Sequence, residues 1–141
     1  MENQSYYTSI EVEATPAEVF NRLTELSQWW SKDFEGSSNK VGDEFVINHP
    51  GRHYSKQRLI EAIPGQKIVW LVTKSELNWL EQDKTEWTGT TMIFELISKG
   101  TTTELKFIHE GLIPEKECYT KCTKGWDMVI KNWLFNYIKA S

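Results

Sequence analysis

The sequence predicts an α+β protein in which a curved antiparallel sheet folds around a long C-terminal helix. Three observations carry that expectation. Apolar residues recur with a period of two from Val41 to His109, with a helical period after Pro114, and a helix-start signal follows the first strand. The order strand, two short helices, meander, long helix puts the helices on one side of the sheet. Residues 1–141 are expected to form one domain, a length at which most of the unfolded surface is buried in a single core.

The first strand is expected from Tyr7 to Ala14, where Ile10, Val12 and Ala14 alternate with Ser9, Glu11 and Glu13. Thr15-Pro16-Ala17-Glu18 is a capping box with Pro at the first helical position, and Val19, Phe20 and Leu23 follow at helical spacing. A second short helix carries Leu26, Trp29 and Trp30, and Gly36-Ser37-Ser38-Asn39 forms a loop. Strands follow at 44–48 and 54–63, joined through His49-Pro50-Gly51-Arg52, and at 67–73 after the Pro64-Gly65 turn. A polar stretch, 74–86, carries Leu77, Trp79 and Leu80. Strands at 88–98 and 103–109 then flank Lys99-Gly100, giving six or seven strands in all.

Ile113-Pro114 opens the last helix, with Glu115 and Glu117 in a first turn whose dipole suits carboxylates. Its expected length is about 25 residues, or roughly 37 Å. Trp126, Ile130, Trp133 and Tyr137 fall at i, i+4, i+7 and i+11 as one apolar stripe. Gly125 costs such a helix about 1 kcal/mol relative to Ala, which suggests close approach to another element. A helix across a strongly twisted sheet covers the middle of the concave face better than its ends, so a gap can remain between them.

Composition excludes several classes of function. The net charge of −4 comes from 20 acidic and 16 basic residues spread along the chain. No cluster of Lys and Arg with interleaved aromatics offers a surface to nucleic acid or to an anionic membrane. No stretch reaches the ~20 apolar residues of a membrane span, and the N-terminus lacks a basic segment followed by an apolar run. The expected location is the cytoplasm. Cys118 and Cys122 lie too close in sequence to staple a fold, and a cytoplasmic setting keeps them reduced. With His109 they offer three ligands of a zinc type, but no fourth is evident and the spacing is not C-x-x-C. Free buried thiols are the expected reading, with neither a metal nor another cofactor. No Ser-His-Asp order, Gly-rich phosphate loop or H-E-x-x-H helix is present.

The informative excess is aromatic: seven Trp, six Phe and five Tyr are more than a minimal core requires. Side chains of this size dominate cores and apolar pockets alike.

Several motifs carry a resemblance. Ala14-Thr15-Pro16-Ala17-Glu18-Val19-Phe20, Trp29-Trp30, Val41-Gly42-Asp43-Glu44-Phe45, Glu61-Ala62-Ile63-Pro64, Thr103 to Gly111 and Gly125-Trp126 together resemble the START-like superfamily, which includes the birch pollen allergen and polyketide cyclases. Within it the chain is similar to bacterial proteins related to the activator of the heat-shock protein 90 ATPase. A narrower signature is His109-x-Gly111-Leu112-x-Pro114-Glu115-x-Glu117-Cys118-Tyr119-x-x-Cys122-x-x-x-Trp126. The resemblance spans about residues 7 to 138. It implies a helix-grip fold with a cavity between sheet and C-terminal helix. It implies no catalytic residue, because the superfamily shares no single catalytic constellation.

The candidate cavity residues are Trp30, Phe45, Trp70, Phe94, Phe107, His109, Trp126 and Trp133, with ordinary core packing as the alternative for each one. His109, titratable on an apolar face, could orient a ligand or act as a base, or simply be buried and hydrogen-bonded. Arg58 and Glu61 fall on opposite faces of their strand. Which face of strands 44–48 and 54–63 turns inward stays open, because a register error of one residue inverts it. The stretch 74–86 is either a solvated connection or a lid. The expected function is binding of a small apolar or aromatic molecule. The alternatives are regulation of a protein partner, as in the chaperone activators, and a cyclase or hydrolase using the same cavity.

Overall fold

The computed structural model describes residues 5–31, 33–49 and 53–139. Seven antiparallel strands form one curved sheet: β1 (Tyr6–Val12), β2 (Phe34–Gly36), β3 (Glu44–His49), β4 (His53–Ile63), β5 (Lys67–Glu76), β6 (Thr91–Ser98) and β7 (Thr103–Glu110). Their spatial order is β1-β7-β6-β5-β4-β3-β2, so only the first strand pairs out of sequence, closing against the last. Two short helices, α1 (Pro16–Leu23) and α2 (Leu26–Trp29), follow β1. A helix of 21 residues ends the fold, built from α3 (Tyr119–Met128), a π-helical turn (Val129–Leu134) and α4 (Phe135–Lys139). This is the expected helix-grip architecture.

Local chemistry accounts for the ends of these elements. Thr15 caps α1: its Oγ1 accepts from Glu18 N at 3.1 Å, and the Glu18 carboxylate accepts from Thr15 N at 3.0 Å. The inward faces of the last two strands are those expected, with Met92, Phe94 and Leu96 beside Leu105, Phe107 and His109, all buried. One core joins these to Val12, Leu23, Trp29, Trp70 and Trp126.

Five expectations are corrected. The short strand β2 lies where Gly36 was read as the start of a loop, and β5 runs on to Glu76 into the stretch read as polar. The last helix begins at Tyr119, not at Pro114. Glu117 does not sit in its first turn; its carboxylate accepts from the backbone of Glu81 and Gln82 instead. Finally, the π-helical turn breaks the expected stripe. A π turn holds more residues than an α turn, so the buried side runs Trp126, Ile130, Leu134 and Ile138, and Trp133 is 41% exposed. The turn through Pro50, Gly51 and Arg52 lies outside the described residues.

The inward faces left open by the sequence are Phe45 and Ile47 on β3 and Ser55, Gln57 and Leu59 on β4, all buried. A bulge in β4 between Leu59 and Glu61 then turns both Arg58 and Glu61 outward. Arg58 binds Glu44 at 2.9 Å, and Glu61 lies 3.6 Å from Lys67. Neither faces the interior.

Candidate functional site

The sheet and the long helix part at one end, leaving a partly open cleft of about 800 Å³. The helix contributes Lys121, Cys122, Lys124, Gly125, Trp126, Met128, Val129 and Trp133 to its wall. The opposite wall is His49 from β3, His53 from β4, Leu77, Trp79 and Trp87 from the β5–β6 connection, and Trp30 after α2. Five of the seven tryptophans therefore line it. The size is that of ordinary small-molecule pockets, which run from about 300 to 1,000 Å³.

The aromatic walls are mutually braced. Trp87 and Trp126 stack nearly parallel, 9° between planes with centroids 5.8 Å apart. Trp30 lies 5.1 Å from Trp126 and stacks on Trp70 behind it. His53 meets the Trp87 face edge-on at 4.8 Å, as His109 does.

His109 fixes this arrangement from behind. Trp126 Nε1–H donates to His109 Nδ1 at 2.9 Å. A neutral imidazole then carries its proton on Nε2, which donates to Thr90 Oγ1 at 2.8 Å, and that hydroxyl donates on to the Trp87 carbonyl at 2.6 Å. Both ring nitrogens of His109 and the Thr90 hydroxyl are used in this relay. Complete burial pulls the His109 pKa down to about 3, so the ring stays neutral. With both nitrogens engaged, it has none left to serve as a base toward the cleft. Gly111 permits the contact: its φ of +104° suits glycine, and a Cβ there would lie 2.6 Å from the Thr90 methyl. The His-x-Gly pattern in the sequence is thus the backbone condition for a histidine that holds two tryptophan-bearing elements.

His53 sits at the cleft wall with Nε2 2.8 Å from Ser55 Oγ. Burial and the neighbouring His49 also lower its pKa, to about 3. The Cys122 thiol is pushed far up by its hydrogen bond with Cys118 and by burial, so it is a protonated, unreactive wall atom. Both cysteines are free.

The connection 77–90 is tied down. Leu77 and Leu80 are buried, and two carboxylates clasp it to the start of the long helix. Glu117 accepts from Glu81 N and Gln82 N, while Glu86 accepts from Glu117 N at 2.9 Å and Cys118 N at 3.1 Å. It forms a fixed wall of the cleft.

Of the candidates read from sequence, Trp30, Trp126 and Trp133 reach the cleft. Phe45, Trp70, Phe94 and Phe107 are fully buried in the core beneath it, and His109 lies behind Trp87 and Trp126. Trp133 also borders a second, smaller cleft of about 470 Å³ with Gln28 and Tyr137. Sequence reasoning missed His49, His53, Trp87 and the helix face Lys121, Lys124 and Met128. The signal for the last three was available: they extend the Gly125 face of the helix at helical spacing.

An added Cβ at Gly125 meets nothing within 4 Å. The glycine does not serve close approach of another element, as its position in the helix suggested; it leaves space in the cleft.

Comparison with known proteins follows the fold. The family described as Activator of Hsp90 ATPase homolog 1-like protein matches residues 13–138. No curated protein matches in sequence. The Aha1 protein of Colwellia psychrerythraea, solved as a dimer in solution, is 20% identical, with a TM-score of 0.78 over 96% of each chain. Protein MLL2253 of Mesorhizobium loti is 15% identical, with a TM-score of 0.72 over 94% of this chain and 96% of its own. DynU16, from the dynemicin biosynthetic locus, is 12% identical, with a TM-score of 0.71; the match covers 97% of this chain and 48% of that one.

Proposed function

The chain belongs to the family of Activator of Hsp90 ATPase homolog 1-like proteins, and on that footing we propose that it binds a small hydrophobic or aromatic molecule in the cleft between sheet and C-terminal helix. The observation that carries this reading is the cleft itself: about 800 Å³, walled by five tryptophans, beside a helical glycine with open space in front of it. A glycine inside a helix is destabilising by about 1 kcal/mol, and no packing contact at Gly125 offsets that. Space for a ligand is the function that fits. The biosynthetic locus of the similarly folded DynU16 accords with small-molecule work, though at such low identity the likeness extends to the fold alone.

Titration of apolar fluorescent probes against the wild type and Gly125→Phe tests the reading. The wild type should bind saturably, with a change in tryptophan emission. The variant should keep its circular dichroism and lose the binding, because the phenyl ring occupies the cleft. A wild type that binds no apolar probe would sink the proposal.

A second reading, a protein partner, has one observation in its favour. Met128 and Trp133, on the helix at the cleft rim, are both large apolar side chains exposed to solvent. The family description points to the Hsp90 ATPase as the partner to try. Unchanged ATP turnover of that chaperone on adding this protein would remove the reading.

A further inference from the structure

The cleft carries charge of one sign. Its titratable wall residues, among those described, are Lys121, Lys124, His49, His53 and Cys122; no carboxylate lines it. That is not the average of the chain, in which acidic residues outnumber basic ones 20 to 16. The acids nearest the helix start are already committed, since Glu86 and Glu117 spend their oxygens on backbone N–H groups.

The two lysines are placed to act on a ligand. Both are exposed, one turn apart on the helix, and among the described residues neither is in an ion pair. Lys121 is held at the wall by the Trp79 ring, its Nζ 5.3 Å from the ring centroid.

We propose that the ligand of this cleft is an organic anion: an aromatic body seated among the tryptophans and an acidic group at the Lys121–Lys124 rim. This rests on the ligand-binding reading above and adds the sign of the charge. A neutral apolar molecule would leave the rim lysines unused; a cation would meet two ammonium groups and no carboxylate. The attraction is that of partly exposed charges, so it is modest and weakens with salt.

The test uses one ring system with and without charge: 1-anilinonaphthalene-8-sulfonate and neutral N-phenyl-1-naphthylamine, each titrated by fluorescence against the whole protein. The sulfonate should bind about tenfold more tightly than the neutral probe at low salt. Lys121→Gln/Lys124→Gln, two exposed positions where folding is not at stake, should remove that advantage and move the neutral probe by less than about twofold. Equal affinity for the two probes, or a double variant that keeps the full preference, overturns the anion inference and leaves the cleft reading intact. Failure of both probes to bind, or binding of both that survives Gly125→Phe, overturns the cleft reading itself.

Discussion

Trp126 and His109 are joined nitrogen to nitrogen: an indole N–H donates to an imidazole lone pair at 2.9 Å, deep in the protein. The bond requires a neutral ring, since a protonated His109 would present two N–H groups to each other. This has a direct consequence for pH. The folded pKa of His109 is lowered to about 3, against about 6.5 in the unfolded chain. Above pH 6.5 both states are neutral and stability is complete. Below it the unfolded chain takes up a proton that the folded chain refuses, so stability falls by about 1.4 kcal/mol per pH unit. His53 adds in the same direction. Urea melts at pH 7, 6 and 5 should show this loss, above the range where carboxylates titrate. His109→Gln, which cannot titrate, should flatten much of it. A wild type equally stable at pH 7 and 5 would refute the account.

Gly111→Ala should be damaging out of proportion to one methyl group. The substitution forces a left-handed backbone on alanine and drives Cβ to 2.6 Å from Thr90, the residue that orients His109. A loss of about 1–3 kcal/mol is expected, measured by denaturant unfolding, together with altered tryptophan fluorescence. Unchanged stability would show that the Thr90 contact relaxes freely.

Trp126→Ala and Trp133→Ala should differ sharply. Trp126 is 2% exposed and braced by Trp30, Trp87, Phe107 and His109, so its removal should cost about 3–5 kcal/mol. Trp133 is 41% exposed at the cleft rim and should cost no more than about 1–2 kcal/mol. Equal losses in urea melts would contradict the placement of Trp133 outside the core.

Gly125→Ala should raise stability by about 0.5–1 kcal/mol, because the methyl meets open space and the helix gains propensity. The gain should come with weaker probe binding as the cleft narrows. A destabilised variant would mean that the space in front of Gly125 is not there in solution.

Much of the architecture was legible because it rests on local rules. The alternation of β1, β6 and β7 and the capping box at Thr15 each belong to a single element and survive tertiary packing. The site was legible only in part, because it is made where elements meet. The start of the long helix was misplaced since Glu115 and Glu117 look like first-turn carboxylates, whereas Glu117 serves another loop. Trp133 was placed on one inward stripe with Trp126 because a strict helical period puts them in line, and nothing local announces the π turn that moves it to the cleft rim. Arg58 and Glu61 could not be oriented without the bulge that separates them. Phe45, Trp70, Phe94 and Phe107 have the same composition signature whether they line a cavity or fill a core. His53 and Trp87 come together only through the pairing of distant strands.

The π-helical turn also decides which changes of length the chain can absorb. Each residue of an α-helix advances about 100° around the axis, so a deletion normally swings everything beyond it off its face. Between Val129 and Leu134 the helix carries one residue more than an α turn needs. Removing Asn132, which is exposed, restores the ordinary pitch: Leu134 and Ile138 become the seventh and eleventh residues after Trp126 and still point into the core. The shortened chain should therefore melt cooperatively, whereas loss of one residue from α3, such as Thr123, should not be tolerated. The surplus residue makes this segment a place where the long helix can lose a residue and keep its core side chains inward.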